Sequence, residues 1–197
     1  MDAEGLDRRA IAFEGSRCIA HGGLAEVALA VKAAHDRGGH LPVLVFDATT
    51  SAPIEIDVRG TPADVLARLT PVTVEPEARR GPGRPRLGVV AREVTLLPRH
   101  WEWLAAQPGG ASVALRRLVE DARRANEGRD RVRVAREAAY RFMSAVAGDA
   151  TGFEEATRAL FAGDRARFET HIATWPADVR THALSLAAAT FDPEPDR

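Results

Sequence analysis

The sequence predicts an α+β protein in four segments: a small N-terminal ββαββα unit, a basic Pro/Gly linker, a strand–helix–helix segment and a C-terminal helical bundle. Three observations lead there. Over residues 10–70, short apolar runs bounded by Gly-containing turns alternate with amphipathic stretches. Over 71–88, Pro71, Pro76, Pro82 and Pro85 stand among glycines and arginines with no apolar period. Over 131–189, apolar residues recur at intervals of three and four, the period of a helix face.

In the first segment, Ala10–Phe13 and Arg17–Ala20 read as two short strands around the turn Glu14-Gly15-Ser16. From Leu24, the positions Leu24, Val27, Ala28, Val31 and Ala34 lie on one helix face, and Gly38-Gly39 ends it. Pro42–Phe46 is a buried-strand signal, and Ile54–Val58 alternates apolar and polar as a half-buried strand does. Thr61-Pro62-Ala63-Asp64 has the composition of a capped helix start, with proline at the first helical position. The unit spans 10–70 and is acidic. The linker then covers 71–88.

The third segment, 89–127, opens with a strand candidate, Val89–Leu97. Pro98 can begin a helix and drives Leu97 into the extended region. A first helix over Arg99–Ala106 stops at Gln107-Pro-Gly-Gly110, with Trp101 expected to pack on the helix that follows. That second helix, about Ser112–Arg124, places Leu115, Leu118, Val119 and Ala122 on one face. The polar stretch Asn126–Asp130 reads as a break before the bundle. Within the bundle, Thr151-Gly-Phe-Glu154 has capping-box spacing, Gly163-Asp164 restarts a helix, and Pro176 begins the last. Residues from Phe191 on read as a loose tail.

Charge is the most uneven feature of the chain. Between Arg79 and Arg136 stand fourteen arginines against six acids, a net +8 inside a 197-residue chain whose total is −1. Arginine outnumbers lysine twenty-six to one, a bias that a GC-rich genome alone would spread evenly rather than cluster. A concentrated cationic stretch points to a polyanionic partner. The expected DNA contacts are Arg79, Arg80, Arg84, Arg86, Arg92, Thr95, Ser112 and Arg116.

Two local resemblances sharpen that expectation. The order strand, Pro98, helix, Gly109-Gly110, helix, carried by Val94-Thr-Leu-Leu-Pro98, Trp101, Leu104 and Ser112–Val119, resembles ribbon-helix-helix repressors and antitoxins. That likeness implies a homodimer paired through Val89–Leu97, a ribbon in the major groove and a phosphate at the N-terminus of the second helix. Ser112 reads equally as a plain N-cap. Neither face of the strand, Arg92/Val94/Leu96 or Glu93/Thr95/Leu97, is a polar trio, so the strand is either groove-facing or an ordinary core strand. Gly83-Arg-Pro-Arg86 resembles an AT-hook core, which lies in the narrow minor groove of A·T tracts, with Pro82 replacing the usual preceding arginine.

Signals for chemistry are sparse. Cys18 and His21 have ligand-like spacing without a second pair, and the other histidines are scattered. No HExxH, GxSxG or phosphate-loop pattern occurs, so no catalytic, cofactor or metal residue is expected. The polar N-terminus is no secretory signal and no apolar run approaches the roughly 18 residues of a membrane span, which leaves the cytoplasm as the expected location.

Over 10–188 the sequence is similar to a bacterial family known as domain of unknown function 2239. The passages that carry the likeness are Gly23–Lys32, Pro42–Asp47, Gly83–Trp101, Tyr140–Ala145 and Gly152–Ala156. The resemblance implies no activity and transfers no catalytic residue. The residues themselves point to a dimeric DNA-binding protein, a transcriptional regulator or antitoxin-like repressor. The alternative is an interaction module whose basic segment docks an acidic protein, and an enzyme of unknown class stands third.

Overall fold

The computed structural model describes residues 8–39, 41–69 and 92–192. Among them are three strands and seven helices, a mixed α+β protein that is mostly helical. The linker with Arg79, Arg80, Arg84 and Arg86, the start of the Val89–Leu97 strand candidate and the end of the C-terminal tail lie outside the described residues. The chain forms two compact units: Met1–Pro71 together with Gly128–Arg197, and Val72–Glu127.

In the first unit, β1 (Arg9–Glu14) and β2 (Arg17–Gly23) form a hairpin whose turn Gly15 holds at φ 59°, a conformation natural to glycine. β3 (Val43–Asp47) pairs with the other edge of β1, so the antiparallel order is β2-β1-β3. The run Ala10-Ile-Ala-Phe13 is apolar at every position because β1 is the central strand and both its faces are covered. Ala10 and Ala12 face one core with Leu24, Val27 and Val31 of α1 (Leu24–Asp36). Ile11 and Phe13 face the other, built from the C-terminal helices. Period-2 alternation thus sends one strand into two cores.

The second of these cores gathers Ala139, Phe142 and Met143 from α4 (Gly110–Ala147) and Ala156, Ala159 and Leu160 from α5 (Phe153–Ala162). Phe168 and Ile172 of α6 (Arg165–Ile172), and Val179, Ala183 and Ala187 of α7 (Ala177–Phe191), complete it. Trp175 caps this core, its indole N–H donating to the Thr151 carbonyl at 3.0 Å. Phe191, expected in a loose tail, closes α7 and packs on Phe168 with ring centroids 5.2 Å apart.

Several expectations need correction. Ile54–Val58 is not a strand: the one isolated bridge, Phe46 to Pro53, is flanked by the Asp47 N–H donating to the Ala52 carbonyl at 2.9 Å and the Ile54 N–H donating to the Val45 carbonyl at 2.8 Å, and among the described residues no ladder follows Ile54. Beyond it, the Asp57 and Arg59 carbonyls accept from the Arg68 guanidinium rather than from a neighbouring strand. The alternation nevertheless predicts burial correctly, since Ile54, Ile56 and Val58 pack on the α1-side core.

The polar stretch Asn126–Asp130 does not interrupt a helix, because α4 is continuous from Gly110 to Ala147. A mid-helix glycine such as Gly128 costs only about 1 kcal/mol relative to alanine. The turns around it are laced by Asn126 Nδ2 donating to the Ala122 carbonyl at 2.8 Å, and by Arg133 bridging Asp130 and Glu137 at 3.0 and 3.2 Å. The Thr151–Glu154 capping box also does not form. Gly152, at φ 83°, occupies the cap position of α5, where an added Cβ would sit 2.8 Å from the His171 carbonyl oxygen.

The box at Thr61 does form. The Asp64 carboxylate accepts the Thr61 N–H at 2.8 Å, and the Thr61 hydroxyl accepts the Asp64 N–H at 3.3 Å, opening α2 (Pro62–Leu69). Thr61→Ala is therefore expected to cost about 1 kcal/mol in urea unfolding, the usual loss for an N-cap. Thr61→Ser, which keeps the hydroxyl, should restore most of it.

In the second unit, α3 (Pro98–Ala105) starts where the proline rule places it, with Leu97 extended as N-cap at ψ 151°. Arg92–Leu97 is not a strand: among the described residues nothing pairs with it, and all but Leu96 are exposed. A strand without a ladder partner leaves its N–H and C=O groups to water. Trp101 is 41% exposed and Trp103 51%. Leu104 and Ala114 are the buried apolar residues among the described part of this unit.

Candidate nucleic-acid interface

The first turns of α4 carry two of the expected contact residues. Gly109 and Gly110 precede and begin the helix at φ 82° and 74°, and the Gly110 N–H is taken by the Gln107 carbonyl at 2.9 Å. A side chain at Gly109 would press on Val113 at 3.1 Å, so the turn needs glycine there. Ser112 lies inside the helix rather than ahead of it, which removes it from the N-cap role. Its hydroxyl side is exposed, and its carbonyl accepts the Arg116 Nε–H at 3.0 Å.

That hydrogen bond lays Arg116 along the helix while leaving the rest of its guanidinium for solvent. Arg117 is exposed beside it and has no ion pair among the described residues. One turn on, Glu120 draws in Arg123 at 2.9 Å and Arg124 at 3.1 Å. The hydrogen bond from Arg123, with that guanidinium's charge, holds the Glu120 carboxyl below its ordinary range. Arg123 and Arg124 are thus partly neutralised, whereas Arg116 and Arg117 are not. Arg92 and Thr95 stand exposed on the extended segment before α3, and Arg99 on α3 itself.

The +8 excess is divided along the chain. Between Arg92 and Glu127 six arginines meet five acids, so this part is nearly balanced. The surplus comes from Arg79, Arg80, Arg84 and Arg86, which have no acid among them up to Arg92, and from Arg129, Arg131, Arg133 and Arg136 against Asp130. Of the eight expected contacts, Arg92, Thr95, Ser112 and Arg116 are thus placed on exposed surface of the second unit. The other four fall outside the described residues.

Two features of the first unit escaped the sequence reading: the bonds that fix the Asp47–Pro53 turn, whose turn composition is itself legible, and a buried histidine. The turn Asp47–Pro53 is latched by the Asp47 carboxylate, which accepts the Arg8 Nε–H at 2.8 Å, the Thr50 N–H and hydroxyl at 2.9 Å and the Thr49 N–H at 3.1 Å. Burial works to raise this carboxyl, but Arg8, Thr50 and Thr49 together outweigh it and hold the pKa at about 2. The Arg141 guanidinium donates to the Thr50 carbonyl, and Ser51, fully buried, sits at φ 53° with its hydroxyl unpartnered. An αL serine is a local strain that the surrounding bonds impose.

The second feature is His182. Its ring lies 4.6 Å from Phe142, edge-on, and 5.8 Å from Phe13, and its Nε2 has no partner. Burial first, and the charge of His21 second, push its pKa down to about 4. Cys18 nearby in the sheet is raised by burial and then by Asp178, whose carboxylate accepts the Cys18 N–H at 2.9 Å. A thiol held protonated is a weak nucleophile. Among the described residues no three His, Cys, Asp or Glu side chains come together as a metal site. No described helix is long and apolar enough to cross a membrane.

Comparison with known proteins adds one finding. The family model of an uncharacterized protein conserved in bacteria, DUF2239, matches residues 9–187. No curated protein and no solved structure matches the chain.

Proposed function

The chain belongs to the bacterial DUF2239 family, and from that premise we propose that it is a DNA-binding protein acting through its arginine-rich middle. The observation that carries the reading is the concentration of charge: a net +8 over Arg79–Arg136 in a chain of net −1. Arg117, exposed and without an ion pair among the described residues, and the half-engaged Arg116 at the start of α4 support it locally. Such groups neutralise phosphates and release condensed counterions, which gives affinity without sequence information. A regulatory role follows as the natural use of a protein of this kind.

The test is fluorescence anisotropy on mixed-sequence duplexes across a salt series. Binding should be detectable at low salt and weaken steeply as salt rises. R84A/R86A should reduce the slope of log K against log salt by about 2, one for each lost phosphate contact, and R116A/R117A by a similar amount. Absence of binding at low salt, or slopes unmoved by both variants, sinks the proposal. A second reading, docking on an acidic protein, draws on Trp101 and Trp103, whose exposed rings suit a protein partner. Retention of a protein partner after nuclease treatment would favour it.

A further inference from the structure

The α1-side core of the first unit is not filled to its end. Between the last turns of α1, the start of β3 and the segment 54–58 lies a recess of about 250 Å³. Val31 and Ala34 reach it from α1, Val43 from β3, and Ile56 and Val58 from the segment after β3. Ala34 is buried, and the other four belong to the α1-side core or pack against it. Protein interiors leave few voids larger than a water molecule, and at roughly 30 Å³ per water this one holds about eight. Apolar walls give such waters few partners, so an apolar occupant that displaces them gains affinity.

Two details keep the space open. A Cβ on Gly39 would stand 2.5 Å from Glu14 Oε1, so the absence of a side chain at 39 leaves room for that oxygen at the wall of the recess. Leu41, which also lines it, is 60% exposed and rests against Gly15 instead of filling it. We propose that the recess binds a small uncharged molecule, an apolar body of bicyclic size carrying one N–H or O–H that donates to Glu14.

The surroundings of Glu14 select that ligand. Its Oε2 meets Arg17 at 3.1 Å and Arg37 at 3.8 Å, so two guanidiniums already face the one carboxylate. A cationic ligand would compete with them, and an anionic one would set its charge against the carboxylate. Oε1 accepts no hydrogen bond among the described residues, although the side chain is only 14% exposed. A donor brought there by a ligand meets a sheltered charged acceptor, where a hydrogen bond counts most. Volume sets the size: the recess is larger than the roughly 150 Å³ apolar cavity that takes benzene and just below the roughly 300–1,000 Å³ of drug-sized sites. None of the arginines proposed to meet DNA takes part, so the site stands whether or not the protein binds DNA.

An NMR titration of the full chain, read on its backbone amides, tests the proposal with indole as the probe. Indole should shift the amides of Val31, Ala34, Gly39, Leu41 and Val43, with a Kd on the order of 0.1 mM for a ligand of so few atoms. Benzofuran, the same shape with an oxygen in place of the N–H, should bind about tenfold more weakly, the effect of losing a hydrogen bond to a charged acceptor. Glu14→Ala should bring indole down to the benzofuran level and leave benzofuran where it was, whereas a merely structural loss would weaken both alike. Ala34→Leu, which fills the recess from α1, should abolish the binding of both. Absence of saturable shifts, as when Leu41 closes the recess, overturns the proposal. So do shifts confined to other parts of the chain, equal affinity of the wild type for the two probes, or binding untouched by Ala34→Leu. Comparing the two probes needs only the wild-type chain, so it decides even where a variant fails to fold.

Discussion

Replacing Phe142 with alanine is expected to destabilise the protein by about 3–5 kcal/mol, the usual cost of emptying a fully buried aromatic site. Phe142 is wholly buried, and three rings surround it: His182 at 4.6 Å, Phe13 at 5.1 Å and Phe46 at 5.6 Å between centroids. Those partners come from α7, β1 and β3, so one α4 side chain joins the sheet to the C-terminal helices. With total stabilities of about 5–15 kcal/mol in proteins of this kind, the loss is a large fraction of the whole. The measurement is urea unfolding followed by circular dichroism, with amide exchange read on β1. The shared core predicts that β1 amides lose protection together with those of α7. If β1 and α1 keep their wild-type protection while α5–α7 open, the two layers unfold separately and the core is not cooperative.

The reach of the sequence can be judged on the same residues. Ala10–Phe13 is readable as a strand, and the position of Pro98 fixes the start of α3, because both signals are local. What the sequence did not disclose is that Ile11 and Phe13 meet Phe142 and the helices after it. No periodicity within either stretch refers to the other. The Ile54–Val58 reading shows the same limit from another side: alternation predicts which side chains are buried, whereas a ladder depends on whether a partner strand continues past Pro53. At α4 the polar stretch Asn126–Asp130 reads as a break, whereas the side-chain bonds of Asn126, Asp130 and Arg133 carry the helix through it. Arginine clustering was evident from composition. The Glu120–Arg124 pair is legible as well, from residues four apart on one helix face, whereas Arg116, spaced to pair with Glu120 in the same way, donates to the Ser112 carbonyl instead, a choice that spacing does not make.

His182 had no signal at all, being one scattered histidine among six, yet it predicts how the protein responds to acid. Folded, its pKa is pushed down to about 4 by burial against Phe13 and Phe142 and then by His21, against 6.5 for an ordinary histidine. Above 6.5 the ring is neutral in both states, and its contribution to stability is complete. Between 6.5 and about 4 the unfolded chain takes up a proton that the folded one refuses, so stability falls as the pH falls. Below about 4 both states are charged and no further loss comes from this group. After discounting for the part of the ring that meets solvent, the loss is about 1–2 kcal/mol. Asp47, held at about 2 against an ordinary 3.8, contributes above 3.8 and is lost only as the pH falls through the folded value. The two windows are therefore distinct. His182→Leu keeps the packing against both phenylalanines and removes the titration. Its unfolding free energy should change less than that of the wild type between about pH 7 and about pH 4.5, by the same 1–2 kcal/mol or so. An identical acid response in the two proteins would mean that the proton goes elsewhere, and that the unpartnered Nε2 is reached by water in the folded state.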